Sequence, residues 1–238
     1  MVKICAISDI HGDLIDIPEC DILCICGDIL PFNMEKNIHY SIGWLAGPFQ
    51  QWALAAPCKH VVMIWGNHDF IGENFYKGWL DSEDIHEILF QNDIGTPKIH
   101  ILCDESIELL GVKFYGTSWC PSLKNWAFYG DSKRLKEKFS NIPSDTNILL
   151  THCPPKFGKQ GMVLQSDSYN YLSDYGCKEL QEAIEKKFAV KSTTTFILSG
   201  HIHSGNHCEE VHGGFVYRNV SVKDEDYVVS YEPYILEI

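Results

Sequence analysis

The stretch Thr195-Phe-Ile-Leu-Ser-Gly-His201-Ile-His203 decides how this chain is read. Its apolar run, bounded by Ser-Gly, has the signature of a buried strand, and two histidines one residue apart follow it. A backbone leaving a sheet there can turn both imidazoles toward one point, and imidazole is the commonest neutral metal ligand. A single His-x-His carries little weight. The weight comes from repetition, because four other apolar runs finish in the same kind of residue.

Residues 2–8 are a nearly continuous apolar run ending in Asp9-Ile-His11-Gly-Asp13. Residues 21–26 form a second, ending in Gly27-Asp28, and residues 60–65 a third, ending in Gly66-Asn67-His68-Asp69. Residues 147–150 run into Thr151-His152. Continuous apolar runs of this length are typical of strands buried on both faces. Between the second and third, residues 34–56 are helix-compatible, with Gly43, Gly47 and Pro48 expected to interrupt the helix. Alternation of strand and helix predicts a sheet flanked by helices. Short runs at 100–103, 107–110 and 112–116 predict an antiparallel meander with a turn at Leu110-Gly111. A basic amphipathic helix is expected over 131–139, a loop over 157–168, and a helix over 175–188 with Leu180 and Ile184 on one face. The tail reads as short β segments at 213–222, 227–230 and 234–238. No linker, repeat or low-complexity stretch interrupts the chain, so one domain covering 1–238 is expected.

Composition narrows the function. Of 238 residues, 45% are hydrophobic, an ordinary globular share. Lys+Arg number 19 against 32 Asp+Glu, a formal charge of −13. Such a surface repels nucleic acid at long range and lacks a basic stripe, so stable nucleic-acid binding is not expected. There are 10 cysteines, none in a C-x-x-C pair, and Cys5, Cys24 and Cys26 lie inside strand-like runs. That usage predicts free thiols in a reducing cytosol. The N-terminus enters a strand without a signal peptide, and no apolar run approaches the ~18 residues that span a membrane. A cytoplasmic protein without a membrane partner is expected.

The five strand ends carry Asp9 and His11, Asp28, Asn67 and His68, His152, and His201 with His203. All are oxygen or nitrogen donors, which suits Mn²⁺, Fe or Zn²⁺ in a carboxylate–imidazole site better than a cysteine-rich structural zinc. The number of donors exceeds one tetrahedral site and fits two metals roughly 3.5–4 Å apart with a bridging carboxylate. Sites of this kind gather beyond the carboxyl ends of parallel strands. Taken singly, Asp9 and Asp28 would read as turn residues, as would Asn67. Asp69 reads as the cap of the following helix rather than a ligand. His39, His60, His86, His100, His207 and His212 carry no motif and read as structural or surface residues, with His207 the nearest to the site in sequence. Cys153 beside His152 is a poor nucleophile candidate, since a metal-ligating histidine cannot serve as its base.

Asp-x-His, Gly-Asp, Gly-Asn-His-Asp, Thr-His and Gly-His-x-His, in this order, resemble the calcineurin-like metallophosphoesterases. Within them, Tyr115-Gly-Thr-Ser-Trp-Cys-Pro121 with Trp126-Ala-Phe128 is similar to the metallophosphoesterase-domain-containing branch. So are the segment from Ile142 to Pro155, Gly176-Cys-Lys-Glu-Leu180 and Asn219-Val-Ser-Val222. The chain departs from that branch at Cys153, where glycine is more usual, and at Lys156-Phe-Gly-Lys-Gln160, where an acid often follows the Pro-Pro. The resemblance implies an α/β (α+β) fold, a four-layer αββα sandwich of two mixed sheets flanked by helices. It implies two divalent ions, Mn²⁺ first with Fe or Zn²⁺ as alternatives. Asp9, His11 and His203 would hold one, Asn67, His152 and His201 the other, and Asp28 would bridge them. A metal-bridging hydroxide would attack, with His68 as general acid. Asn67, His68 and Trp119 are the expected substrate contacts.

The phosphoester class follows from cations. Protein phosphatases place an arginine soon after Gly-Asp, whereas this chain reads Gly27-Asp-Ile-Leu-Pro-Phe-Asn33 and holds only Arg134 and Arg218. Bidentate clamping of a dianionic monoester is mainly an arginine task. A monoanionic diester needs fewer cationic contacts, and an aromatic side chain could stack on its base. The expectation is a phosphodiesterase for small diesters, and the resemblance to the metallophosphoesterase-domain-containing branch implies cyclic nucleotides among them. The alternatives are a phosphomonoesterase or protein phosphatase, and, from another class, a metal-bearing module without catalysis.

Overall fold

The computed structural model describes residues 1–80, 96–121, 124–164, 172–188 and 194–238. Its first sheet has the order β15-β1-β2-β3-β4, built from Tyr234–Glu237 (β15), Lys3–Ile7 (β1), Ile22–Cys26 (β2), His60–Ile64 (β3) and Lys98–Ile101 (β4). β1 to β4 are parallel, and β15 closes the β1 edge antiparallel, Lys3 facing Glu237. The second sheet has the order β13-β14-β12-β9-β6-β5. Its strands are Glu210–His212 (β13), Phe215–Asn219 (β14), Thr195–Ser199 (β12), Ile148–Thr151 (β9), Val112–Thr117 (β6) and Glu105–Leu109 (β5). The four inner strands are parallel and the two edge strands antiparallel.

Strand residues alternate between two faces, and that alternation makes the layers. Ile4, Ala6, Cys24, Val62 and Ile64 of the first sheet meet Phe114, Ile148, Leu150 and Leu198 of the second in one apolar core. Residues of the opposite parity, such as Cys5, Ile7, Leu23, Ile25, Leu149 and Ile197, face helices instead. Each fully buried aliphatic side chain of this kind stabilises by about 1.5–3 kcal/mol. The helices are Ile38–Trp44 (α1), Gln50–Ala55 (α2), Phe70–Tyr76 (α3), Ser132–Phe139 (α4) and Lys178–Phe188 (α5). The outer-face cluster takes Trp44, Leu45, Phe49 and Ala53 from the α1–α2 region, and Leu135, Phe139, Leu180, Ile184 and Phe188 from α4 and α5. The architecture is an α/β fold of two mixed sheets with helices outside.

Several local expectations are corrected. Gly43, Gly47 and Pro48 do not interrupt the first helix. A π-helical turn, Leu45–Phe49, joins α1 directly to α2. The wider turn accommodates Pro48, which has no N–H to give. Residues 98–101 are not part of a meander. They join the first sheet parallel to β3, Ile99 beside Val61, and only β5 and β6 form a hairpin. Its turn has both central residues left-handed, Leu110 at φ 51 and Gly111 at φ 79, as two-residue hairpins favour. The loop expected over 157–168 contains a strand, Met162–Leu164 (β10), paired with Leu172–Asp174 (β11), and its residues 165–168 lie outside the described residues, as does His86. Residues 227–230 are a turn rather than a strand, with one isolated bridge between Lys223 and Val229.

One histidine pair bears on stability. His60 of β3 and His100 of β4 are cross-strand neighbours with Nδ1 and Nε2 3.1 Å apart. Burial, then the nearby His60 and Lys98, push His100 down to about 4, and burial lowers His60 as well. The folded state therefore binds fewer protons than the unfolded chain once pH falls below the ordinary histidine value near 6.5. Stability should decline from about pH 6.5 toward pH 4 and level off below. His100→Gln should reduce the difference in Tm between pH 7 and pH 5 by a few degrees, about 2–4 °C. An unchanged difference would show that the pair does not titrate with folding.

Candidate metal centre

The site lies beyond the C-terminal ends of five parallel strands, and every expected donor follows its strand within four residues. Asp9 and His11 follow β1, Asp28 follows β2, Asn67 and His68 follow β3, His152 follows β9, and His201 and His203 follow β12. Four of these residues have left-handed backbones: Asp9 (φ 56), His11 (φ 42), Asp28 (φ 53) and His201 (φ 67). That conformation costs a non-glycine residue about 1–3 kcal/mol and persists where the surroundings over-determine it. Two glycines make room for the carboxylates. A Cβ on Gly66 would lie 2.1 Å from Asp28 Oδ1, and one on Gly200 would lie 2.1 Å from Asp9 Oδ2.

Asp9 is fully buried and accepts the backbone N–H of His201 at 2.9 and 3.1 Å, with His203 Nε2 3.3 Å from its Oδ1. Asp28 Oδ1 accepts the backbone N–H of His68 at 2.7 Å. Its other oxygen faces three imidazoles: His152 Nε2 at 3.2 Å, His11 Nε2 at 3.8 Å and His68 Nε2 at 4.0 Å. Burial opposes ionisation of both acids, but His203 beside Asp9 and His152 beside Asp28 outweigh it, and both carboxyls are held well below the usual range. Among the imidazoles, His152 donates from Nδ1 to the Cys26 carbonyl at 2.8 Å, so its Nε2 is left for the site, 2.9 Å from Asn67 Oδ1. His203 likewise donates from Nδ1 to the Asp224 carbonyl at 3.0 Å. A carbonyl can only accept, so both tautomers are set.

The charges of the site divide its histidines. Burial disfavours a proton on His152, yet Asp28 pushes it up to about 10, and Asp9 raises His203 in the same way. Burial lowers His11 to about 4 and His201 to about 3, so these two are neutral imidazoles. Protons on His152 and His203 thus balance carboxylates that a cation would otherwise balance. Both ring nitrogens of His11 are buried without a hydrogen-bond partner. A buried polar group without a partner is costly, and two on one ring mark a missing ligand. Asp9, His11 and His203 bring three ligand atoms within 4.8 Å of one another, and so do Asp9, Asp28 and His152. The residues fit divalent metal ions. Cys120, Cys153 and His201 form a third such group. Burial raises the Cys120 thiol, and a hydrogen bond with Cys120, then burial, raises Cys153, so both stay protonated and are poor ligands.

A cavity of about 330 Å³ opens over the donors, with Trp126, Glu225 and Tyr227 in its wall. Trp119 is not in that wall. It is 2% exposed, its indole N–H donates to Asp104 at 3.0 Å, and it packs edge-on against Tyr76 and Phe128. Trp126 takes the position expected of Trp119, 4.2 Å from the His68 ring. Asp69 occupies the residue before α3 but does not cap it. Its carboxylate accepts the N–H groups of Gly66 at 2.8 Å, Ile29 at 3.0 Å and Leu30 at 3.1 Å, tying the β2 and β3 loops together. His207 donates from Nε2 to the His203 carbonyl at 2.9 Å, behind the site.

Three residues at the site carry no signal in the sequence. Glu35, 7% exposed, places Oε2 2.6 Å from His68 Nδ1. Phe32 stacks on His11 at 4.2 Å, and Tyr227 lies 4.8 Å from both Phe32 and His203. Tyr227 has φ 60 and arrives on a turn knotted by Asp224, whose carboxylate accepts N–H groups of Asp226 and Val228, both at 3.0 Å. Buried Lys223 joins Asp13 at 2.5 Å to the Tyr227 carbonyl at 3.0 Å, fastening this turn to the His11 loop.

Donors of this kind, beyond the strand ends of an α/β sandwich, define a candidate centre for divalent metal ions. The chain belongs to the calcineurin-like phosphoesterase family, whose model matches residues 2–205. It is 28% identical over its whole length to UPF0046 protein T07D4.2 of Caenorhabditis elegans, of which it spans 60%. It is 24% identical over 98% of its length to human metallophosphoesterase domain-containing protein 1, spanning 69% of that protein. Among solved structures, sulfate thiohydrolase SoxB of Thermus thermophilus superposes on 84% of this chain and 33% of its own with a TM-score of 0.38 and 16% identity, too loosely to bear on the reading. No helix among the described residues is long and apolar enough to cross a membrane.

Proposed function

We propose that the protein is a metal-dependent phosphodiesterase for small, singly charged diesters, with cyclic nucleotides the class that fits best. The observation that carries the hydrolytic reading is the Asp28 oxygen facing three imidazoles beside the orphaned ring of His11. Asp9, His11 and His203 would hold one ion, Asn67, His152 and His201 the second, and Asp28 would lie between them. Mn²⁺ suits the donor set, and Fe or Zn²⁺ would be accepted by the same ligands. Bound cations would acidify water to a nucleophile near neutral pH and neutralise phosphoryl oxygens. The remaining steps fall to the chain. Asn67, whose Oδ1 lies 2.9 Å from His152 Nε2, would also offer its amide to a phosphoryl oxygen. Glu35 accepts the Nδ1 proton of His68 and fixes the ring, so that Nε2 faces the site and can pass a proton to the leaving oxygen. Trp126 on one side and Phe32 with Tyr227 on the other offer flat faces to a base.

Charge favours the diester. Arg134 stacks on Trp119 at 4.1 Å and Arg218 on Tyr234 at 4.9 Å, so neither clamps phosphate in the cavity. Glu225 in the wall adds repulsion against a dianion. We read the chain as one domain over 1–238, since its cores draw on residues from Ile4 to Leu236. Ten free cysteines fit a reducing cytosol.

The test is a pair of assays on chelated protein reloaded with Mn²⁺. Bis-p-nitrophenyl phosphate should be cleaved with a kcat/KM at least about tenfold above that for p-nitrophenyl phosphate, about 1.4 kcal/mol of preference. The reverse ranking would make the protein a monoesterase, and no turnover with metal bound would favour a non-catalytic module.

A further inference from the structure

Three thiols meet before β2, at the opposite end of the first sheet from the metal donors. Cys20 neighbours Cys5 of β1 and Cys58 of the loop before β3. Its backbone N–H donates to the Pro57 carbonyl at 3.1 Å. Carrying the β2–β3 register back two residues from Ile22 opposite His60 sets Cys20 opposite Cys58. Adjacent strands lie about 4.7–4.9 Å apart, inside the ~4.4–6.8 Å between Cα atoms that a disulfide bridges.

Access separates the three. Cys5 is fully buried, Cys20 is 8% exposed and Cys58 is half-buried. Cys20 and Cys58 line an open cleft of about 550 Å³ together with Leu54, Pro57 and Lys59. The neighbouring Cys5 and Cys58, with the charge of Lys3, hold the Cys20 thiol below the ordinary range despite burial, whereas Cys5 and Cys58 are raised. Cys20 is thus the readiest thiolate of the group, and the thiolate is the nucleophile. Among the described residues no donor triple close enough for an ion includes Cys5, Cys20 or Cys58. A thiolate beside a second thiol in an open cleft is instead placed for oxidation.

We propose that Cys20 and Cys58 are a peroxide-oxidised dithiol, with Cys20 the attacking and Cys58 the resolving residue. The Cys20 thiolate attacks one oxygen of hydrogen peroxide, the O–O bond breaks, and Cys20 sulfenic acid and hydroxide form. The Cys58 sulfur then displaces the sulfenic oxygen, which leaves as water with the thiol proton, and a disulfide forms. Two thiols and one peroxide give one disulfide and two waters. The bridge encloses β2 and the helical crossover to β3, and it lies at the end of the sheet away from the metal donors.

The full-length protein is treated with limiting hydrogen peroxide, alkylated and mapped by mass spectrometry. The peptides carrying Cys20 and Cys58 should appear joined, lighter by two hydrogens, and Tm should rise by several degrees, about 4–8 °C. The link should survive in Cys5→Ser and vanish in Cys58→Ser, where dimedone should trap sulfenic acid on Cys20. At pH 6, iodoacetamide should alkylate Cys20 at least about tenfold faster than exposed Cys208. A link that persists in Cys58→Ser, or peroxide that modifies Cys208 while Cys20 and Cys58 alkylate in full, overturns the assignment.

Discussion

In the Asp28→Ala variant of the proposed metal centre, bound metal should fall by at least about half, and phosphoester turnover should drop by about 10³-fold. The reasoning starts from geometry. Asp28 Oδ2 lies within 4.0 Å of three imidazoles, which follow β1, β3 and β9. Any ion between His11 and His152 would share this oxygen. Its loss removes a ligand from both positions and the negative charge that holds a proton on His152. A barrier increase of about 4 kcal/mol corresponds to roughly 10³ in rate. Asp28→Asn keeps the shape and the bond from His68 N–H but halves the donor capacity, so it should retain more metal than the alanine variant. Metal analysis beside turnover decides the matter. Full metal content in Asp28→Ala would remove Asp28 from the bridging position.

His68→Ala should behave in the opposite way. Metal content stays near wild type, while turnover of a cyclic nucleotide falls by about 10²–10⁴-fold, the range of a lost general acid. His68 is held from two sides, its N–H on Asp28 at 2.7 Å and its Nδ1 by Glu35 at 2.6 Å, so its ring is oriented without a metal. The loss should depend on the leaving group. Bis-p-nitrophenyl phosphate expels a stable phenolate that needs little protonation, so its rate should fall much less than that of an alkoxide-leaving diester. Equal losses on both substrates would point to phosphate binding rather than proton transfer, and loss of metal would make His68 a ligand.

The donors were legible because each is announced locally. A buried strand must end, and residues such as Asp9, Asp28 and His201 follow that end at once. Their convergence follows from strand order, which places β1, β2 and β3 side by side and β9 beside β12. What escaped depends on distant chain. Glu35 reaches His68 across 33 residues, and Tyr227 reaches His203 from a turn whose shape Asp224 and Lys223 impose. No period or spacing encodes either. Trp119 and Trp126 were hard to separate because both lie in one aromatic stretch. Trp119 follows β6 directly and stays in the core, whereas the backbone reverses at Asn125 (φ 74) and Ala127 N–H bonds to the Asn67 carbonyl at 3.0 Å, which carries Trp126 to the site. Strand β4 joins β3 rather than the hairpin, because a four-residue run specifies a strand but not the sheet it enters.

Both donor sets draw on both sheets. Asp9 and His11 come from the first and His203 from the second, while Asn67 comes from the first and His152 and His201 from the second. Elsewhere the sheets meet mainly through apolar side chains. Ions at this end would act as rivets through two plates. Because the unfolded chain offers no such arrangement, their binding energy adds to stability in proportion to RT ln(1 + [L]/Kd). Chelation should therefore loosen the sandwich from its metal end inward, and heat tolerance and catalysis would share one point of failure.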